Sequence, residues 1–368
     1  MSEACSFQLA TAVPPRRFHQ TQAAGLARSL LRADDLVSSA IGDFFPRAGV
    51  DFRSSVLLLQ DHRDDPGSEL RQDFYLPATE CNLHGPTTEA RLRAFFTHAP
   101  GLAHEAAAKA LALSGTPVRS CTHLITVSCT GTGAPGVEFT LIESLGLRPD
   151  IARTNIGFMG CHGAINGLRV AQAFAADPDV RVLLVCVELC TLHFPYARDV
   201  GTIVTNALFA DGAAAAVIQR APVGRMRLVR TGSSVLPDSA RDMTWTVGDH
   251  GFVMTLSKRV PELIQSHLRA WLEGWLAESE LELGQIRGWA VHPGGPKILD
   301  AVTHALELPE TALAASHEVL REHGNMSSPT VMFILARLEA TSPTLRGPVV
   351  ALAFGPGLVV EAALVQFA

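Results

Sequence analysis

Short, largely apolar runs recur along this chain, each bounded by turn residues and separated from the next by a segment with helical spacing. His123–Cys129, Val180–Leu189, Ala213–Gln219 and Gly288–Val291 lack the polar alternation of a half-exposed sheet, so they read as strands buried on both faces. Leu9–Val13 opens the chain as a further short strand. Apolar spacing predicts helices over Gln20–Ala40, from a cap at Thr87 or Thr88 to about Leu113, and over Val137–Leu145, Pro261–Glu280, Pro296–Leu306 and Ser328–Thr341. Strands and helices alternating at this spacing call for an α/β layered fold. Only 18% of the 368 residues are charged and 47% are hydrophobic, enough apolar material for a large core. The length suits two similar halves, 1–221 and 222–368, with the junction at the turn Ala221-Pro-Val-Gly224.

Thirty Lys and Arg against 36 Asp and Glu give a formal charge of −6, which offers no general field for nucleic acid or an anionic membrane. Neither is expected as a partner. The seven cysteines include no CxxC pair and no Cys/His cluster with zinc spacing, so a reduced, cytoplasmic protein without a metal is the simplest expectation. The opening residues have no charged stretch leading into an apolar one, and neither a secretion signal nor an anchor is expected. The apolar C-terminal stretch from Val349 is broken by Gly355-Pro-Gly357 and carries Glu361, which favours two buried strands around a turn over a membrane span.

Four loop motifs carry polar chemistry. Gly131-Thr-Gly133-Ala-Pro-Gly136 matches the dinucleotide pattern GxGxxG, but Pro135 removes an N–H where pyrophosphate needs donors, and no clear strand presents Asp150. A structural Gly-rich turn is the better reading. Gly157-Phe-Met-Gly160-Cys161-His-Gly leads into a helical run, which puts Cys161 at a helix N-terminus, where free N–H groups and the helix dipole lower a thiol pKa. In Trp289-Ala-Val-His292-Pro-Gly-Gly, a histidine follows a buried strand at the edge where α/β folds bind ligands. Asn325, in His323-Gly-Asn-Met-Ser-Ser328, supplies an amide from a third loop. A thiol, an imidazole and an amide suit either a thiol hydrolase or carbon–carbon bond formation on thioesters. The hydrolase reading lacks the CGSCW-like signature near the N-terminus.

These motifs, together with Gly85-Pro-Thr-Thr88, Ala207-Leu-Phe-Ala-Asp-Gly-Ala213, Gly248-Asp-His-Gly251, His292-Pro-Gly-Gly-Pro296 and Phe354-Gly-Pro-Gly357, resemble the type III polyketide synthases. That family is the chalcone synthase-like branch of the thiolase superfamily, and the similarity runs over nearly the whole chain. It implies the five-layered αβαβα thiolase-like fold of two similar halves, a homodimer, and a site at the end of a CoA tunnel. Cys161 would take an acyl group from a starter acyl-CoA. His292 and Asn325 would hold the malonyl-CoA thioester oxygen during decarboxylation, and a Cys161 thiolate paired with a His292 imidazolium would keep the nucleophile ionised. CoA thioesters would be the substrates and no cofactor would be needed.

By the same resemblance Phe209 is a gate residue, and Met254 stands where the plant enzymes carry a second phenylalanine. Cys129, Cys190, His193 and Trp245 occupy cavity positions that are small or hydroxylated in those enzymes, and Ala134 replaces a methionine that crosses their dimer interface. Lys297, Gly294, Gly295 and Arg53 are the residues expected near CoA. The pattern implies iterative condensation to alkylpyrone- or alkylresorcinol-type products. Malonyl-primed tetrahydroxynaphthalene or phloroglucinol-type synthesis stands as the alternative, with a Cys-His-Asn thiol hydrolase and a nicotinamide oxidoreductase as readings of other classes.

Overall fold

Wholly apolar strands need cover on both faces, and the architecture supplies it. The computed structural model describes residues 5–65, 67–220 and 225–368, so the junction expected at Ala221-Pro-Val-Gly224 lies outside the described residues. The first half runs β1 (Cys5–Ala12), β2 (Arg17–His19), α1 (Gln20–Leu31), α2 (Asp35–Phe44), β3 (Phe52–Ser54), α3 (Thr88–Ser114), β4 (His123–Ser128) and α4 (Val137–Leu145). It continues through β5 (Ala152–Gly157), α5 (Gly163–Phe174), β6 (Arg181–Leu189), α6 (Val200–Leu208) and β7 (Asp211–Arg220). The second half holds β8 (Met226–Val235), β9 (Met243–Gly248), β10 (Gly251–Leu256), α7 (Val260–Ala277), β11 (Gly288–Val291) and α8 (Pro296–Leu306). It closes with α9 (Ala314–His323), α10 (Thr330–Thr341), β12 (Gly347–Gly355) and β13 (Val359–Phe367).

Nine strands hydrogen-bond in the order β11-β12-β13-β8-β1-β7-β6-β4-β5, and the two halves join where Cys5, Ser6 and Phe7 of β1 pair with Leu228, Arg227 and Met226 of β8. Side-chain alternation sorts the strands into layers. Val182, Leu184 and Cys186 of β6 face a central core with α5 and α10, while Leu183, Val185 and Val187 face the outer helix α3. In the second half Val349, Ala351 and Ala353 of β12 join that central core, whereas Val350, Leu352 and Phe354 face α7 and α8. Helices therefore lie outside, between and outside two strand layers, as the thiolase-like resemblance implies.

Several expectations need correction. The helix expected over residues 20–40 is two helices, because Arg32 turns left-handed at φ 44° and the Asp34 carboxylate accepts the Val37 N–H to start α2. A strand, β5, does follow Asp150; it is an edge strand whose Ala152 and Arg153 are exposed, so no apolar run marks it. The GxGxxG glycines serve packing: a Cβ on Gly131 would sit 2.1 Å from the Phe95 ring, and one on Gly133 2.7 Å from Phe96, both on α3. The apolar C-terminus forms the antiparallel pair β12–β13, and among the described residues no helix is long and apolar enough to cross a membrane.

Candidate active site

Cys161 sits in a short 3₁₀ turn, Gly160–His162, between the end of β5 and the start of α5. Gly160 has φ 67°, and a Cβ there would meet the Pro356 ring at 2.6 Å, so only glycine lets the Phe354-Gly-Pro-Gly357 turn pack on this corner. The Gly160 N–H donates to the Cys129 sulfur at 2.9 Å, which ties the corner to the end of β4. Cys129 thus braces the turn as well as lining the cavity beside it.

His292 follows β11, held by its own N–H donating to the Leu352 carbonyl at 2.8 Å. Asn325 lies between α9 and α10, and its backbone forms a two-bond ladder around Phe209: Asn325 N–H to Leu208 O and Ala210 N–H to Asn325 O, both 2.9 Å. The Asn325 Oδ1 accepts from the Ser327 N–H at 2.8 Å and lies 4.0 Å from the Cys161 sulfur. Cys161, His292 and Asn325 line one space together with Phe209 and Met254.

Both ring nitrogens of His292 are buried without a hydrogen-bond partner among the described residues. An unpaired buried polar group is costly, which marks this ring as awaiting a ligand. Burial, with His162 adding repulsion, pushes His292 down to about 3, and burial pushes the Cys161 thiol up to about 12 against the lowering effect of hydrogen bonds from Ser327 and Asn325. Both shifts oppose ionisation, so burial works against the thiolate–imidazolium pair that the resemblance implies.

Glu188 is buried beneath the site, where its carboxylate accepts from the N–H groups of Cys129 and Thr130 and from the hydroxyls of Thr130 (2.7 Å) and Ser328 (2.6 Å). It joins the loop after β4 to the loop that carries Asn325. Sequence reasoning missed Glu188, Ser327 and Ser328, although a single acid in the apolar run RVLLVCVELC was a visible signal.

Cys161 lines two adjoining spaces, and Phe209 and Met254 line both of these and a third beside them. Cys190, His193 and Trp245 also line the cavity walls. The Phe252 N–H donates to His193 Nδ1 at 3.0 Å, so the His193 proton is on Nε2, which donates to the Thr130 carbonyl at 2.7 Å. Burial lowers His193 to about 4. The unfolded imidazole titrates near 6.5, so this neutral ring contributes stability above that pH and loses it as pH falls toward 4. Replacing it by His193→Gln is expected to reduce the acid-side slope of unfolding free energy by about 1.4 kcal/mol per pH unit between pH 6 and 4.5. Denaturant titrations at four pH values check this; an unchanged slope would count against a neutral buried ring.

Of the residues expected near CoA, Gly294 lines the space beside His292 and Lys297 is exposed in the first turn of α8. Gly295 has φ 144° and packs toward Leu208. Arg53 is different. It is buried, stacked on Phe18 and Phe45, and donates through Nη1 to the carbonyls of Asn206 (2.8 Å) and Phe209 (2.9 Å). It pins the main chain of the gate instead of meeting a phosphate.

The model of the N-terminal domain of chalcone and stilbene synthases matches residues 76–222, and that of their C-terminal domain matches residues 227–367. The chain belongs to the chalcone and stilbene synthase family. The alpha-pyrone synthesis polyketide synthase-like Pks18 of Mycobacterium tuberculosis is 36% identical over 290 residues, 76% of this chain and 73% of that protein. PKS-I from the brown algae Ectocarpus siliculosus superposes with a TM-score of 0.89 at 28% identity, covering 100% of this chain and 99% of that one. The C-terminal type III polyketide synthase domain of Steely1, a type I/III hybrid from Dictyostelium, gives 0.85 at 25% identity, with 99% of each chain covered. This chain is a type III polyketide synthase, an acyltransferase of a family that works on acyl-CoA and malonyl-CoA. That assignment removes the thiol hydrolase and nicotinamide readings.

Proposed function

We propose that this polyketide synthase condenses a fatty acyl-CoA starter with several malonyl-CoA units and closes the product to an alkylpyrone- or alkylresorcinol-type ring. The observation that carries the chemistry is the meeting of Cys161, Asn325 and a His292 whose two ring nitrogens have no partner among the described residues, in one space. As the starter thioester enters, His292 takes the Cys161 proton, the sulfur attacks the carbonyl, and CoA leaves with that proton. The neutral imidazole N–H and the Asn325 amide then donate to the malonyl thioester oxygen, which stabilises the enolate formed as CO2 departs. The enolate carbon attacks the acyl group and returns the thiolate. Decarboxylation drives each condensation, so the scheme needs no cofactor beyond the CoA thioesters.

The relative whose name refers to alpha-pyrone synthesis supports the product class, as do the cavity residues Cys129, Cys190 and Met254, which offer apolar, polarisable walls. A homodimer is part of the proposal; the exposed edge strand β5 and the exposed Phe158 and Met159 beside Cys161 offer a surface for it. Mass spectrometry of the protein with malonyl-CoA and a ladder of acyl-CoAs tests the reading. An acyl adduct on Cys161 with release of a polyketide is the expected result, whereas products formed from malonyl-CoA alone would favour the malonyl-primed alternative.

Met254 borders all three spaces, so its replacement should retune the starter. Met254→Phe puts a stiff ring where a flexible thioether now stands, and the preferred acyl group is expected to shorten, with about tenfold lower turnover of the longest starters. A chain-length profile identical to that of the unsubstituted enzyme would remove Met254 from the gate.

A further inference from the structure

The three reactive groups of the site come from different halves of the chain. Cys161 follows β5 in the first half, whereas His292 and Asn325 stand on loops of the second. Their spacing depends on how the halves seat on each other. Apolar residues of α5, β13 and β12 share the central core, but apolar attraction is non-directional and does not by itself fix a register. Hydrogen bonds across the boundary do. Asn325 is tied across it by the ladder on Leu208 and Ala210, and the Glu188 carboxylate of β6 reaches the Ser328 hydroxyl at 2.6 Å. The Cys161 corner has a tie of its own, which the mechanism above does not use.

Glu361, in the middle of β13 and only 2% exposed, reaches from the second half into the first. It accepts from Asn166 Nδ2–H at 3.1 Å and pairs with Arg169, both on α5, while the Ser233 hydroxyl of β8 donates to it at 2.8 Å. Ala363 and Val365, next on the same face of β13, are apolar, and a buried ion pair is a poor source of stability by itself. From Glu361 the chain of bonds runs to the neighbour of the nucleophile. Because Asn166 commits its amide N–H to Glu361, its Oδ1 is the acceptor for His162 Nδ1–H at 2.7 Å. His162 is buried in the same 3₁₀ turn as Cys161. The other edge of its ring lies on the main chain of Gly355, where a Cβ would come within 2.2 Å of Cδ2 and 2.6 Å of Nε2. Gly355 joins Phe354, which lines the space of His292, to Pro356, which lines the space beside the thiol.

We infer that Glu361, acting through Asn166 and His162, is a positioning residue that fixes the Cys161 corner against His292 and Asn325. This rests on the roles proposed above for those three groups. Acyl transfer and condensation need all of them in register, and a displacement of roughly 1 Å costs about 10²-fold in such a step. Release of CO2 from malonyl-CoA needs only His292 and Asn325, which are anchored elsewhere, on Leu352 and on Leu208 and Ala210. Breaking the chain from Glu361 therefore harms the reactions of the sulfur and spares decarboxylation.

Glu361→Ala, Glu361→Gln and Asn166→Ala in the full-length protein test the inference. The rate of Cys161 acylation by the fastest-loading of acetyl-, hexanoyl- and dodecanoyl-CoA is followed by intact-protein mass spectrometry, CO2 release from malonyl-CoA is measured on the same preparations, and thermal unfolding checks folding. Glu361→Ala is expected to lower acylation about 10²-fold while CO2 release stays within about threefold. Glu361→Gln keeps an acceptor for Asn166 and should restore acylation to within about tenfold of the unsubstituted enzyme. Asn166→Ala cuts the link to His162 but leaves Glu361 with Arg169 and Ser233, so it should lower acylation by about tenfold or more, and it decides the matter if Glu361→Ala does not fold. A merely structural role would lower both reactions together. Equal losses of acylation and CO2 release in folded variants, or no loss of acylation, overturn the inference. If the unsubstituted protein loads no acyl group on Cys161 from any of the three thioesters, the proposed role of that thiol fails first and the inference falls with it.

Discussion

Cys161→Ala is expected to form no acyl adduct and no polyketide, yet to keep releasing CO2 from malonyl-CoA. The two activities separate because they use different groups. Acyl transfer needs the sulfur, which no other side chain replaces: Cys129 is committed to the Gly160 N–H, and Cys129 and Cys190 are buried thiols pushed well above their ordinary range by desolvation and the Glu188 charge. Decarboxylation needs only donors at the thioester oxygen, and His292 and Asn325 keep their places because β11 and the Leu208–Ala210 ladder hold them, not the cysteine. Condensation should fall by about 10³-fold or more, the scale of losing a covalent nucleophile, while CO2 release stays within about tenfold. Measuring CO2 and products from the same reaction checks this. Equal loss of both would mean that the thiol also helps to hold the malonyl group.

The burial of the site also shows where sequence reading stops. Cys161, His292 and Asn325 were legible because each stands at a glycine-bearing turn beside a strand or helix, a local pattern that places a reactive group at the edge of a layered sheet. The layers were legible for a related reason, since strands such as RVLLVCVEL have no polar face to show solvent. The burial of the pair was not. It depends on how completely three distant loops exclude water, and a helix N-terminus seen in sequence says nothing of that desolvation.

Arg53 misled for the opposite reason. A basic residue near a binding loop looks like a phosphate ligand, and only the tertiary fold shows its guanidinium turned inward onto main-chain carbonyls. Glu188 and Ser328, 140 residues apart, meet 2.6 Å from each other, a pairing with no local signature. The edge strand β5 and the helix α6 were hidden because polar residues fill the one and β-branched residues the other.

Asn325→Asp separates the two tasks of that amide. The new carboxylate can still accept the Ser327 N–H that Oδ1 now accepts at 2.8 Å, so the loop between α9 and α10 should keep its shape and the variant its melting temperature to within a few degrees. What disappears is the Nδ2–H pair, and an acceptor stands where, on the proposed mechanism, the enolate oxygen must be held. Removing one such donor costs about 3 kcal/mol in the transition state, and a like charge adds to that, so malonyl-CoA decarboxylation and condensation should both fall by about 10³-fold. The new charge also lies close to the Cys161 sulfur, now 4.0 Å from Oδ1, and further disfavours the thiolate, so starter loading should slow as well. Asn325→Ala, which lacks both the donor and the charge, is expected to lose decarboxylation but to load the starter faster than Asn325→Asp. Rates of Cys161 acylation and of CO2 release for the two variants check this ordering; equal acylation rates would show that the amide does not face the sulfur closely enough to govern its charge.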